Sequence, residues 1–242
     1  AGKELGQDYI ATGHYVIVEH GEDGRYKLRK AVDLSKDQSY VLYSLSQEQL
    51  SHTMFPLGSM HKSETRKIAE AHGFISAKRK ESQDICFIPD GDYASFIERY
   101  TGKKIASGNF VDMDGNILGI HKGIIHYTVG QRKGLGLALK HPMYVQYIDA
   151  QNNEVVLGSN EDLFKTELTA HNFNWVSIAC PDATFRAKAR IRYKHKEALA
   201  TITPISETEV KIVFDEPQRA ITKGQSVVVY DGDYVVGGGK IV

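Results

Sequence analysis

The sequence predicts a multidomain protein that is α/β in its first third and β in the remainder. Helix and strand patterns alternate up to about residue 89, which favours an α/β layer arrangement. Turn-forming runs then separate strand-like segments as far as about residue 163. Beyond that point short runs with period-two alternation recur at regular spacing, which is typical of a small barrel or sandwich. We therefore expect three domains, over 1–89, 90–163 and 164–242.

The first third begins with three strand patterns. Residues 9–13 resemble a short buried strand that ends at a glycine, and the segments 15–20 and 25–32 are strand-like. The polar, glycine-bounded run 21–24 predicts a hairpin between the last two. Beyond them, residues 74–78 and 84–88 also have the composition of extended segments.

Helix patterns in this chain are recognised by their ends. Ser46 with Gln49 three residues later forms a capping-box pattern, so a short helix is expected to start there. A second helix is expected over 63–71, ended by Gly73, and a third over 92–100, with Asp92 at its N-cap.

The rest of the chain is predicted to be mainly strands joined by turns. Turn-forming residues occupy 113–116 and 151–153. Strands are expected over 185–195, 198–203, 210–214, 226–230 and 234–236.

Composition excludes several classes of protein. The 242 residues carry a formal net charge of zero, which argues against a protein that coats nucleic acid by bulk charge. There is no CxxC pair and no HExxH motif, so a zinc site is not expected. No apolar run is long enough to cross a bilayer, and two cysteines far apart suit a reducing, cytoplasmic setting.

Residues 1–6 resemble the end of a helix, so we expect the natural protein to continue upstream.

Cys86 lies in the run Glu81-Ser82-Gln83-Asp84-Ile85-Cys86-Phe87, which is polar before the cysteine and apolar after it. A thiolate is a strong nucleophile, so Cys86 is a candidate for sulfur chemistry. Free cysteines are also among the most buried residues, and a structural role is the alternative.

A basic row is the clearest electrostatic pattern. Every second residue from 186 to 196 is basic, and side chains alternate across a strand, so one face would be cationic. This row suits a polyanion such as a phosphate backbone, and Tyr193 offers a stacking surface for an unpaired base. The alternative is a solvated face of an edge strand. The row consists of Arg186, Lys188, Arg190, Arg192, Lys194 and Lys196.

Three further motifs are ambiguous by themselves. The loop 130–136 has glycines and two cations that suit an anion, although a tight turn is the favoured interpretation. Thr12-Gly13-His14 follows a strand, where ligands bind in open α/β sheets, but a single histidine is more often structural. Lys36-Asp37-Gln38 fits a solvated loop equally well.

Together these motifs resemble the tRNA 2-thiouridylase family (the MnmA type) over essentially the whole chain. The resemblance implies a C-terminal remnant of an adenine-nucleotide α-hydrolase-like (PP-loop) domain, a small β-rich central domain and a C-terminal β-barrel that contacts tRNA. The motifs that carry it, in order, are Ala11-Thr12-Gly13-His14-Tyr15, Lys36-Asp37-Gln38-Ser39-Tyr40, Ser82-Gln83-Asp84-Ile85-Cys86-Phe87, His126 to Gly136 and Phe214-Asp215-Glu216-Pro217.

The resemblance also implies an activity. The family uses ATP, with Mg²⁺, to adenylate O2 of the wobble uridine in the tRNA anticodon loop, and a cysteine persulfide then supplies sulfur to form 2-thiouridine. Cys86 matches the persulfide cysteine and Gly13 matches a glycine that contacts ATP. A persulfide relay implies a sulfur-donor protein as a partner. The positions that match tRNA contacts are His14, Lys36, Asp37, Gln38, Arg192, Tyr193 and Gln225.

Departures from the family keep alternatives open. The family's Ser-Gly-Gly-x-Asp-Ser loop and its first catalytic cysteine are absent from this chain, and Cys180 does not match that cysteine. We therefore expect that this chain alone cannot thiolate tRNA. The alternatives are a non-catalytic tRNA-binding module, a methyltransferase, for which no methyl-donor fingerprint is found, and a redox pair of Cys86 with Cys180.

Overall fold

The computed structural model describes residues 4, 6–78, 88 and 92–242. These form two compact units. The first unit contains the described residues of Ala1–Arg79, Thr166–Glu216 and Lys223–Val242, and the second contains those of Lys80–Lys165 and Pro217–Thr222. Cys86 and most of the predicted segment 84–88 lie outside the described residues.

The first third mixes short strands and helices, as predicted. Ser46 caps the helix Gln47–Ser51 with the expected capping box, and Val16–His20 pairs with Tyr26–Lys30 as the predicted hairpin, in strands shorter than predicted. The elements are β1 (Ile10–Ala11), β2 (Val16–His20), β3 (Tyr26–Lys30), α1 (Ser39–Leu42), α2 (Gln47–Ser51), β4 (Thr53–Met54), α3 (Lys62–Ala71) and a 3-10 helix (Ile75–Lys78).

The middle of the chain forms a four-stranded sheet. The elements are α4 (Tyr93–Thr101), β5 (Gly108–Val111), β6 (Ile117–His121), β7 (Tyr144–Asp149) and β8 (Glu154–Gly158), with 3-10 helices at Ile124–His126 and Glu161–Leu163. The strand order is β6-β5-β8-β7, with β5 and β8 parallel. Phe110 and Val155 belong to the core of this sheet and are fully buried.

The C-terminal part forms a closed six-stranded barrel, which confirms the predicted β-barrel. The strands are β9 (Phe164–Trp175), β10 (Phe185–Arg190), β11 (Ala198–Ser206), β12 (Glu209–Arg219), β13 (Ser226–Asp231) and β14 (Tyr234–Ile241). Their order is β13-β10-β11-β12-β9-β14, and β14 pairs back onto β13. Closure leaves no free edge within the six strands, although β3 and β2 continue the sheet from β14.

One shared core joins the N-terminal segment to the barrel within the first unit. Tyr40, Tyr43 and Leu50 are buried against barrel residues that include Val228 and Tyr230. A glycine in β14 permits this approach, because a Cβ at Gly238 would lie 2.6 Å from the Tyr43 ring. The barrel and the N-terminal segment as far as α2 therefore share one hydrophobic core.

Three predictions about local structure are wrong. The predicted buried strand at the start is β1, which pairs only with β4 among the described residues and leaves Ile10 half exposed. The predicted extended segment 74–78 contains a 3-10 helix at Ile75–Lys78, because left-handed Gly73 turns the chain and the Phe74 amide donates to the carbonyl of Ala69. The predicted strand over 185–195 ends at Arg190, where a turn begins. Helix α1 and strand β9 were not predicted.

The barrel core gives a direct test of the fold. Ile202 is fully buried in β11, whereas Ile205 on the same strand is 54% exposed. Ile202→Ala should lower the free energy of unfolding by about 2–5 kcal/mol because it opens a cavity. Ile205→Ala, the matched control, should cost less than about 1 kcal/mol. Urea unfolding followed by the fluorescence of Trp175, the single tryptophan, measures both. Equal losses would contradict the barrel.

Candidate nucleic-acid interface

Two groups of predicted tRNA-contacting residues lie side by side in the first unit. The hydroxyl of Tyr193 donates a hydrogen bond of 3.1 Å to the backbone oxygen of Asp37. Tyr193 belongs to the turn 191–197 after β10, and Asp37 to the segment between β3 and α1. The fold thus brings together the Lys36–Gln38 triplet and the Arg192–Tyr193 pair, although 156 residues separate Asp37 from Tyr193.

The Asp37 carboxylate is buried and bound by its own segment. Its oxygens accept hydrogen bonds from the Ala31 amide at 3.1 Å, the Ser39 amide at 3.3 Å and the Ser39 hydroxyl at 2.7 Å. Buried carboxylates require such donors. They fix the turn between β3 and α1, so the side chain serves the fold. The tRNA contact of Asp37 stays a prediction.

Gln38 joins this segment to the region that follows β1. Its side-chain oxygen accepts a hydrogen bond of 2.9 Å from the Tyr15 amide, and its own amide donates to the Tyr15 carbonyl at 2.9 Å. Lys36 beside it is half-buried and donates its amide to the carbonyl of Asp33 at 3.0 Å. The triplet is therefore a structured turn and not a mobile loop.

Gly13 and His14 follow β1 at the carboxyl end of a parallel strand pair. Gly13 is exposed, and a Cβ there would meet only a Leu57 methyl at 3.7 Å, an ordinary contact. Nothing in the described structure demands a glycine, so the free space suits a ligand that approaches the backbone. The His14 ring is held by a hydrogen bond of 2.9 Å to the Thr12 hydroxyl and by an edge contact with Phe55.

Arg190 anchors the turn that carries Arg192 and Tyr193. Its guanidinium lies 5.1 Å from the ring centre of Tyr40, 5.6 Å from that of Tyr230 and 5.8 Å from that of Tyr193. Cation–π contacts of this kind stabilise most when they are partly desolvated. Burial raises the pKa of Tyr40 to about 12 and also raises the pKa of Tyr230. Both phenols are therefore neutral at physiological pH.

The basic row is not a single exposed face. Arg186 forms a two-point ion pair with Asp215 and also donates to the Thr201 hydroxyl at 2.8 Å. Arg190 turns inward to the tyrosines. In the part of the chain that the structure describes, the exposed cations of the row that have no acidic partner are Lys188, Lys194 and Lys196.

Gln225 lies beside the Tyr40 contact. It is exposed just before β13, and its carbonyl accepts from the Ile241 amide at 2.9 Å. The next residue, Ser226, accepts a hydrogen bond of 2.7 Å from the Tyr40 hydroxyl. Tyr40 thus connects the Gln225 turn to the segment that contains Asp37.

Sequence reasoning missed the residues that hold this site together. The sequence pattern places Arg190 on the cationic face and indicates no role for Tyr40 and Tyr230. Tyr40 lies in the quoted run Lys36 to Tyr40, but no spacing rule links it to a tyrosine 190 residues away. Only the folded barrel brings them together.

The two cysteines are the remaining candidates for sulfur chemistry. Cys86 lies outside the described residues. Cys180 is a free, half-buried thiol with its sulfur 3.8 Å from the Pro181 carbonyl oxygen.

Among the described residues, no group of three or more His, Cys, Asp or Glu side chains is placed to hold a metal ion. None of the described helices has the length and apolarity to span a membrane.

Family models match nearly the whole chain in three consecutive parts. A tRNA methyl transferase HUP domain matches residues 1–90, a tRNA methyl transferase PRC-barrel domain matches 94–159, and an aminomethyltransferase beta-barrel domain matches 165–241. Bacterial proteins described as tRNA-specific 2-thiouridylase MnmA are also more than 50% identical to the chain over nearly all of its length. The chain belongs to the MnmA tRNA 2-thiouridylase family.

Similar proteins of this MnmA family come from several bacteria. The chain is 54% identical to the tRNA-specific 2-thiouridylase MnmA of Acetivibrio thermocellus over 98% of its length, and 53% identical to that of Clostridioides difficile over 99%. It is 51% identical to that of Lachnoclostridium phytofermentans over 99%. It spans 66%, 66% and 67% of these three relatives, respectively.

Membership of the MnmA family confirms the predicted fold class. A HUP-like part, a PRC-barrel part and a C-terminal barrel correspond to the α/β, central β-rich and barrel parts expected from the sequence. Two of the family descriptions contain the words methyl transferase, whereas the relatives are described as 2-thiouridylases. The exact domain limits and the roles of the site residues stay predictions.

The buried role of Asp37 can be tested by substitution. Asp37→Ala removes the acceptor for the buried Ala31 and Ser39 amides, so the free energy of unfolding should fall by about 1–3 kcal/mol. Asp37→Asn, which keeps one acceptor oxygen, should lose less. Asp182→Ala is the matched control, because Asp182 is exposed. Urea unfolding measures all three. An unchanged stability of Asp37→Ala would refute the buried role.

Proposed function

We propose that this chain is part of an ATP-dependent tRNA sulfurtransferase that forms 2-thiouridine at the wobble uridine. Similarity to MnmA 2-thiouridylases over 98% of the chain supports this proposal. The structural observation that carries it is the hydrogen bond between Tyr193 and Asp37, because it brings the Lys36–Gln38 triplet beside the turn that contains Arg192 and Tyr193. The residues proposed to contact tRNA are His14, Lys36, Asp37, Gln38, Arg192, Tyr193 and Gln225.

The proposed surface suits an anticodon loop. Lys194 is exposed next to Tyr193, a residue that is 44% exposed even though its hydroxyl is bound. A cation beside an accessible aromatic ring can bind a phosphate and stack an unpaired base. The target uridine must leave its stack to react, which is easier in a loop than in a duplex.

The proposed chemistry proceeds in two stages. ATP adenylates O2 of the uridine and pyrophosphate leaves, which converts a poor leaving group into AMP. The terminal sulfur of a persulfide on Cys86 then attacks C2, and AMP leaves with the original oxygen. Release of the thiocarbonyl product needs a second thiol, which attacks the Cys86 sulfur and forms a disulfide with it. The resemblance implies a cysteine for this role, and this chain lacks that cysteine.

ATP and its partners are also part of the proposal. Gly13 fits a contact with ATP because its backbone is exposed and its missing side chain leaves room for the nucleotide. Mg²⁺ would accompany the phosphates of ATP. A sulfur-donor protein is proposed to load Cys86, and the cytoplasm is the proposed location.

Removal of two cations near Tyr193 tests the tRNA surface. The double substitution Arg192→Ala/Lys194→Ala should weaken binding of a tRNA transcript about tenfold and lower the slope of log affinity against log salt by roughly two. Arg99→Ala/Lys103→Ala is the matched control, because it removes the same two charges from an exposed part of the second unit. Fluorescence anisotropy over a salt series measures both. Unchanged affinity and slope would mean that these two cations are only a solvated face.

Persulfide loading tests the sulfur chemistry. Treatment with a small persulfide donor should add one sulfur atom to the tryptic peptide 81–99, which contains Cys86. The thiolate attacks the outer sulfur of the donor, whose thiolate leaves. Cys86→Ser should abolish the added mass, and Cys180→Ser, the matched control, should retain it. Peptide mass spectrometry decides. Sulfur found only on the peptide that contains Cys180 would contradict the assignment.

A further inference from the structure

The glycine-rich loop of the second unit is held in a defined shape. The Gln131 side chain accepts from the Thr128 amide at 3.0 Å and donates to the Lys133 carbonyl at 3.0 Å. The Gly130 amide donates to the Val145 carbonyl at 2.8 Å, which ties the loop to β7. Gly134, with φ of 75°, turns the chain in the left-handed region. The loop is therefore a built structure and not a loose connection.

Arg219 fixes the base of this loop. Its guanidinium donates to the Gly130 carbonyl at 3.3 Å and to the Asn160 side-chain oxygen at 3.2 Å, and it lies 5.4 Å from the ring centre of Tyr144. A Cβ at Gly130 would lie 3.2 Å from the same guanidinium, so glycine permits the close contact. All four residues belong to the second unit.

Beyond this base, the loop borders an open groove of about 510 Å³. The groove is lined by Arg132 and by residues 134–143, among which are Lys140 and His141. No acidic residue belongs to this lining. Arg132, Lys140 and His141 are exposed, and the described residues provide no acidic partner for them.

The lining of the groove also contains apolar side chains. Leu135 is buried, and Leu137 and Leu139 are half-buried. An anion with apolar parts suits both kinds of lining residue. The cations, which have no acidic partner among the described residues, attract its charge, and the leucines contact its carbon atoms. A nucleic-acid strand has this composition, with phosphates on one side and sugars and bases on the other.

We propose that this groove binds the phosphodiester backbone of tRNA. The proposal rests on the proposed function for the identity of the RNA, and it adds a contact in the second unit to the residues around Tyr193. Arg132 and Lys140 would each neutralise a phosphate, and Arg219 would act as a positioning residue that holds the loop.

Binding measurements on the 242-residue chain test the groove. With a tRNA transcript, Arg132→Ala/Lys140→Ala should weaken binding about tenfold and lower the log–log salt slope by roughly two. Lys103→Ala/Lys122→Ala is the matched control, because both lysines are exposed in the second unit and lie outside the groove lining. The control should bind as the wild-type chain does. Thermal unfolding checks that each variant is folded, and Arg132→Gln/Lys140→Gln replaces the alanine variant if that one is not.

A chemical footprint gives an independent measurement on the unaltered protein. Bound tRNA should slow acetylation of Lys140 and leave that of Lys122 unchanged. Inorganic phosphate should give no such protection at concentrations where tRNA does. Protection by an acidic protein but not by tRNA would assign the groove to a protein partner and overturn the proposal.

The outcomes separate the two proposals. If the wild-type chain does not bind tRNA at all, the proposed function fails and the groove proposal fails with it. If the wild-type chain binds tRNA while the groove variant binds equally well and Lys140 is unprotected, only the groove proposal is wrong.

Discussion

The burial of one carboxylate sets the geometry on which the candidate interface depends. Asp37 lies at the turn between β3 and α1, and its charge would be costly without donors. The amides of Ala31 and Ser39 and the Ser39 hydroxyl provide them. Because these bonds fix the side chain inward, the backbone oxygen of the same residue is presented to the Tyr193 hydroxyl. The carboxylate thus determines where a loop of the barrel meets the N-terminal segment.

The aromatic cluster provides the second half of this junction. Tyr40 comes from α1, Tyr230 from β13 and Tyr193 from the turn after β10, and Arg190 lies close to all three rings. Loss of the Arg190 guanidinium would remove the charge that lies between the three tyrosine rings. Arg190 therefore contributes to the fold, although in the sequence it resembles a surface residue. The ordered tyrosines hold the turn from which Lys194 extends into solvent.

Sequence predicted those features that depend on neighbouring residues. Ser46 and Gln49 cap α2 as expected, and Ala187 and Ala189 are buried while Arg186 and Lys188 are exposed, as period-two alternation requires. The prediction is wrong beyond Arg190, and two of the three tyrosines that surround this residue, Tyr40 and Tyr230, come from distant parts of the chain. The inward role of Asp37 could not be predicted for the same reason, since a polar triplet in a turn has no periodicity.

The charge of the protein surface also depends on the fold and cannot be obtained from the sequence pattern alone. A net charge of zero and a row of six basic residues suggest opposite conclusions about RNA binding, and neither number describes the surface. The fold neutralises Arg186 with Asp215 and packs the half-buried Arg190 against aromatic rings. It also leaves exposed lysines beside Tyr193, and exposed cations among the lining residues of a groove in the second unit. Affinity for a polyanion depends on how many phosphates the cations of the protein contact, and not on the total number of charged residues in the sequence. A neutral chain can therefore bind RNA at a few built sites without attracting nucleic acid along its whole surface.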